Sequence, residues 1–187
     1  MNTSRRHLLV GLAAPLAGAT LWASPALAAS AREIDQGVDR ALQTLYATQP
    51  KASEFAKRAR AILVFPKIVK AGLLIGGQSG DGALRVNGRT VGYYNLSAAS
   101  FGLQAGAQTF SYALFFMNDA ALQYLTKSEG WSIGSGPSVV VVDKAAAASM
   151  TSTTLTHDVY AFPFGQQGLM AGLGLEGSKI TRIHPGP

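Results

Sequence analysis

Six basic side chains fall within twenty residues, Lys51, Lys57, Arg58, Arg60, Lys67 and Lys70, and Glu54 is the only acid among them. A cluster of that sign suits an anionic headgroup surface. Each cation held near an anionic bilayer contributes up to about 1 kcal/mol, and added salt screens it. The same residues also fit a solvated helix face, in which Lys51, Glu54 and Arg58 form an ion-pair ladder at three- and four-residue spacing. Nucleic acid is set aside as a partner because no recognised binding motif accompanies the charge.

Catalytic chemistry finds little to work with. The three histidines, His7, His157 and His184, show no metal-ligand spacing, and His157-Asp158 is a bare pair. No Gly-x-Ser-x-Gly occurs, and Gly134-Ser135-Gly136-Pro137-Ser138 reads as a turn between strands rather than a nucleophile elbow. Gly172-Leu173-Gly174-Leu175-Glu176-Gly177 matches the dinucleotide fingerprint by letter. That fingerprint needs a following helix to receive the pyrophosphate, and the ten residues after Gly177 end in His-Pro-Gly-Pro. The expectation is a protein with no enzymatic activity, no metal and no cofactor.

The N-terminus reads as an export signal. Arg5-Arg6 precede an apolar run over residues 8–22 and then the small-residue stretch Pro25-Ala26-Leu27-Ala28-Ala29. The run is shorter than the roughly 20 residues of a membrane span and is interrupted by Pro15 and Gly18. Residues 1–28 are therefore read as a twin-arginine signal peptide, and residues 29–187 as one domain, periplasmic or secreted, soluble or peripheral at a membrane. Cysteine is absent, which excludes disulfides, thiolate metal sites and a lipid-bearing cysteine at the cleavage site. Without Arg5 and Arg6, 14 basic residues face 10 acidic ones, a modest excess whose placement decides its meaning.

The elements that would position these residues follow from periodicity. Ile34, Val38, Leu42 and Leu45, with Ala41, make the buried stripe of a helix over residues 31–47. Pro50 suits the first turn of a second helix with Phe55, Ala59 and Ile62 as its stripe. The period changes near Ala61, where Ile62-Leu63-Val64-Phe65 turns β-like before Pro66 ends it. Antiparallel strands are expected over residues 71–77, 83–86, 90–96, 101–116, 139–142, 159–164 and 168–183. Asn87-Gly88 marks a two-residue hairpin, since both residues tolerate positive φ. One later helix has Asn118 as its cap, Ala121, Leu122 and Leu125 as its apolar face, and Gly130 beyond its end.

Glycine recurs in one pattern, Gly72-Leu73-Leu74-Ile75-Gly76, Gly102-Leu103-Gln104-Ala105-Gly106 and Gly168-Leu169-Met170-Ala171-Gly172. Residues four apart in a strand share a face, so each pair would strip side chains from one side of a sheet that bends to close on itself. The aromatics Phe101, Phe110, Tyr112, Phe115 and Phe116 are read as core residues ahead of a lipid-pocket lining.

Several of these blocks together resemble the SYLF-domain family: residues 61–67, 70–82, 90–95, 100–108 and 114–117, with 168–172 and 175–180. The resemblance covers residues 52–183. It implies a non-catalytic lipid-binding module whose eukaryotic members associate with phosphoinositide membranes and actin structures, while its bacterial members are exported. Many bacterial relatives look like lipoproteins, and this chain lacks the cysteine for that. The basic N-terminal helix of eukaryotic members has no clear equivalent, because Glu33, Asp35 and Asp39 offset Arg32 and Arg40.

The reading is thus an α+β domain, N-terminal helices on a strongly curved, glycine-rich antiparallel sheet, half-open or closed as a small barrel. Its expected partner is an anionic phospholipid surface at the periplasmic face, met through the six cations. The alternative is an envelope protein partner docked on the glycine-rich sheet. If residues 1–28 are a signal, mass spectrometry of the exported protein will place its N-terminus at Ala29, and Arg5→Lys with Arg6→Lys will stop export. A secreted product starting at Met1 would overturn that reading.

Overall fold

The computed structural model describes residues 29–72, 75–101, 106–143, 146, 150, 155–168, 175 and 177–187. Residues 1–28 of the signal segment, residues 73–74, 102–105 and 169–172 of the glycine repeats, and the side chains of Ser100 and Phe101 lie outside the described residues.

Helix α1 (Ala31–Thr48) begins where Ser30 and Glu33 satisfy each other's backbone. Ser30 Oγ accepts from Glu33 N at 3.3 Å, and Glu33 Oε2 accepts from Ser30 N at 2.8 Å. The Ser30 amide, and then its hydroxyl, donate to Glu33 Oε2 and hold that carboxyl below its usual pKa. Ile34, Val38, Ala41 and Leu45 are buried, as their spacing predicts. Helix α2 (Ala52–Arg58) is shorter, burying Ala52 and Phe55. The change of period at Ala61 is the start of β1 (Ala61–Gly72).

Seven further strands follow: β2 (Ile75–Val86), β3 (Arg89–Phe101), β4 (Gly106–Phe116), β5 (Trp131–Ser132), β6 (Val139–Val141), β7 (Val159–Gly168) and β8 (Lys179–Ile183). They form one sheet in the order β5-β8-β3-β2-β1-β4-β7-β6. All pairs are antiparallel except β6 with β7, which is parallel and corrects the all-antiparallel expectation. Residues 142–158 separate β6 from β7, which gives the chain room to return to the same end of the sheet and run the same way. Helix α3 (Asp119–Lys127) is capped by Asn118, whose Oδ1 accepts from Ala121 N at 2.8 Å.

The sheet is curled. Five strand spacings of about 4.8 Å separate β5 from β4 in a flat sheet, yet the Trp131 and Phe116 rings lie 6.0 Å apart. The concave side encloses Leu63, Phe65, Leu84, Tyr94, Leu96, Phe110, Tyr112, Leu114, Trp131 and Ile180, together with Ala121 and Leu125 of α3. The convex side carries α1 and α2, whose stripes pack on Val64, Ala83, Ala113, Phe115, Tyr160 and Phe162. Phe110, Tyr112, Phe115 and Phe116 lie in these two cores, as expected. This is an α+β half-barrel: helices on a strongly curled, mostly antiparallel eight-stranded sheet.

Pro66 does not end the strand. Strand β1 runs on to Gly72 with one extra residue relative to both neighbours, as the register shifts between Val64 and Val69 against β2 and between Phe65 and Ile68 against β4. A bulge is where a central strand can hold a proline, because the ladder has no bond there for its missing N–H to make. Ser111 Oγ donates to the freed Pro66 carbonyl at 2.8 Å. A second bulge lies alongside in β7 at Gly165, whose φ is +63.

One glycine pair differs from the expectation, while Gly102 and Gly172 of the other two lie outside the described residues. Gly72 ends β1 and Gly76 faces it from β2, so that pair flanks a hairpin instead of lying on one strand. The bending glycines are Gly80 and Gly82. A Cβ on Gly80 would overlap the Lys67 carbonyl oxygen, and one on Gly82 the Val64 carbonyl oxygen, so β2 can cross the bulged part of β1 only with bare backbone. The Asn87-Gly88 hairpin is as read, with φ of +50 and +77.

Gly82→Ala should therefore destabilise the protein by about 2 kcal/mol or more, since the obstructing atom is backbone and cannot rotate away. Gly77→Ala, whose Cβ would sit 3.4 Å from the Ala98 carbonyl, should change stability by less than about 0.5 kcal/mol. Urea unfolding of both variants checks the contrast.

Candidate functional site

The six cations are neighbours in sequence and scatter in space. Lys51 precedes α2 and pairs with Glu54 at 2.9 Å, the ladder contact that the spacing allowed. Lys57 and Arg58 occupy the last turn of α2 and are exposed. Arg60 stands at the entrance of β1, 3.6 Å from Asp119 at the start of α3. These four therefore gather around one short helix with two carboxylates among them.

Lys67 and Lys70 belong elsewhere. Ten residues of β1 span roughly 30 Å, so Lys70 is far from Arg60. The bulge also separates these two lysines by face. Before it, Leu63 and Phe65 point into the concave core; beyond it Ile68 does, so Lys70 follows inward while Lys67 and Val69 point outward. Lys67 is exposed, whereas Lys70 is 9 % exposed.

Outside the bulge lies a groove of about 890 Å³ between α1 and the sheet. Glu33, Ile34, Arg40 and Ala41 form its helical wall; Pro66, Lys67, Val69 and Asp81 contribute from the sheet, and Phe164 and Gly165 close one end. Its two cations are matched by two carboxylates. Glu33 is committed to the Ser30 cap, and Asp81 Oδ1 accepts from Asn95 Nδ2 at 2.7 Å. The groove thus offers an apolar floor and a charge-balanced rim. Sequence reasoning found Lys67 but not Arg40 or Asp81, because only Pro66 marks the bulge that brings them together.

The acids of α1 do not offset its own arginines. Asp35 accepts from Thr90 Oγ1 at 2.7 Å and from Tyr93 Oη at 3.0 Å, and Asp39 accepts from Arg85 Nη2 at 2.9 Å. They clamp the helix to the β2–β3 hairpin. The bond to Asp35 and burial both raise the Tyr93 phenol pKa, burial first.

His157-Asp158 is a structural pair. Asp158 accepts from Ser138 N at 2.9 Å, Ser138 Oγ at 2.8 Å and Asn118 Nδ2 at 2.7 Å, tying the α3 cap to the entrance of β6. The Ser138 backbone bond, then the side-chain bonds, lower its pKa. The His157 amide donates to Tyr160 Oη at 3.1 Å. Among the described residues no group of three His, Cys, Asp or Glu side chains could hold a metal ion, and no helix is long and apolar enough to cross a membrane.

The architecture in which these groups sit is a curled half-barrel with helices on its convex face. The family described as Ysc84, Las17-binding protein actin regulator, matches residues 97–184, from within β3 to the end of β8. Over those residues the chain is similar to the Ysc84/SYLF family, which is linked to lipid and actin binding and is generally non-catalytic. No curated protein matches the chain.

The Asp158 clasp makes a prediction with a definite sign. A carboxylate whose folded pKa is depressed contributes stability that is present above its unfolded pKa, about 3.9, and lost as pH falls through the folded value. Asp158→Asn should cost about 1 kcal/mol at pH 7 by urea unfolding. The gap between variant and parent should close as pH drops below about 4.

Proposed function

We propose that the protein is a non-catalytic, peripheral binder of anionic phospholipid, acting at the periplasmic membrane face after export and cleavage near Ala28. The observation that carries this reading is the clustering of Lys51, Lys57, Arg58 and Arg60 around α2, four cations against Glu54 and Asp119, on an exposed short helix. Family membership supports it, since SYLF domains are linked to lipid binding. The actin connection in the family description has no place in an exported protein, because the compartment contains no actin; anionic lipid is the acidic surface it offers.

With Glu54 and Asp119 among the four cations, the net excess is two charges and the attraction is modest, about 2 kcal/mol. Binding should be marked at low salt and weak at high salt. Lys67 adds one cation beside the groove. Lys70, buried on the inner face, contributes to no flat membrane contact from its position.

The second reading, an envelope protein partner, is favoured by β6. The strand order ends there, Val141 is 40 % exposed, and no described strand pairs with its outer edge. Co-sedimentation with neutral vesicles and with phosphatidylglycerol vesicles separates the two. Selective pelleting with the anionic vesicles at low salt, reduced several-fold by Lys57→Glu with Arg58→Glu, supports the lipid reading. Equal or absent pelleting on both vesicle types would sink it.

A further inference from the structure

The concave face of β1 is apolar from Leu63 to Ile68 and then changes character. The bulge brings Lys70 onto that face, directly opposite Gln78 of β2 on one side and Gln108 of β4 on the other. Residues directly opposed on neighbouring strands share a face. Three adjacent strands therefore lay an amide, an ammonium and an amide in one row. The row is buried: Lys70 is 9 % exposed, Gln78 7 % and Gln108 2 %.

Most of its polar atoms are accounted for. Gln78 Nε2 donates to the buried Ser178 Oγ at 3.1 Å, and Gln108 Oε1 accepts from Gln166 Nε2 at 3.5 Å. Gln108 Nε2 is not: it is sealed from solvent and makes no hydrogen bond. Buried polar groups are nearly always satisfied, so such an atom marks a place where an acceptor belongs. The side chain opposite it is a cation. Lys70 is engaged in contacts of its own, but an ammonium has three N–H groups and can share a further acceptor.

We propose that the Gln78–Lys70–Gln108 row binds an oxyanion, the phosphate of a lipid headgroup or inorganic phosphate. Donors and positive charge without a carboxylate in the row exclude a metal cation as its natural occupant. The surroundings suit an amphiphile: Ile68 and Phe110 are buried in the next layer inward, and Ile75, on the β2 end beyond the row, is 72 % exposed. This site lies on the opposite face of the sheet from α2, so it does not depend on the surface cations.

The test follows the side-chain amide resonances of Gln78 and Gln108 in ¹⁵N-labelled protein. Inorganic phosphate is titrated in one arm and dioctanoyl phosphatidic acid, kept monomeric, in the other. Saturable shifts are expected. Shifts with phosphatidic acid alone assign the headgroup, and equal shifts with phosphate assign the free ion. Gln108→Leu replaces an unsatisfied buried amide with an apolar side chain, so it should unfold at an equal or higher temperature while binding at least tenfold more weakly. Lys70→Met should also weaken binding. Absence of saturable shifts with both probes, or undiminished affinity in Gln108→Leu, overturns the proposal.

Discussion

One extra residue in β1 governs the rest of the molecule. A central strand normally keeps step with both neighbours, and here it is a residue longer than each at Pro66-Lys67. Three consequences follow from that mismatch. The sheet bends sharply enough that β2 needs bare backbone at Gly80 and Gly82. A groove opens against α1 on the outside. The inward parity of β1 also inverts, so that Lys67 meets solvent and Lys70 meets the core. The bulge in β7 at Gly165 lies beside this region and carries the bend across the sheet.

Much of the architecture was legible because periodicity records burial. The stripe of α1, the cap of α3, the hairpin at Asn87-Gly88 and the start of β1 at Ala61 each have a local cause, and each appears where that cause predicts. Pro66 was misread for an equally physical reason. Proline inside a strand usually breaks it, and only the partners' register, a long-range property, shows that the ladder skips a bond there. The first glycine pair misled similarly, because the spacing of Gly72 and Gly76 also fits facing positions on two antiparallel strands.

The candidate site was less legible than the fold. Six cations within twenty residues look like one patch on a linear reading, yet a helix, a strand entrance and a parity inversion distribute them among three environments. The acids of α1 looked like neutralising neighbours of its arginines, and they reach instead to Arg85, Thr90 and Tyr93. Charge counted along a chain measures composition; only the fold converts it into a field. A half-barrel built this way separates a weakly basic outer helix from a buried polar row within its curl.

The strand order places β8 between β5 and β3, and residues 179–183 are the last of the described strands to be synthesised. The Ala31 amide, at the beginning of α1, donates to the Gly186 carbonyl at 2.8 Å. The sheet therefore cannot acquire its full width, nor the first helix its anchor, until residues 179–186 have been made. Its decisive contacts join residues distant in sequence, which slows folding and exposes the open edge of β3 in the interval. Assembly of this domain is in that sense a matter of timing: the nascent chain carries an unfinished sheet until those residues emerge, and they seal the native state.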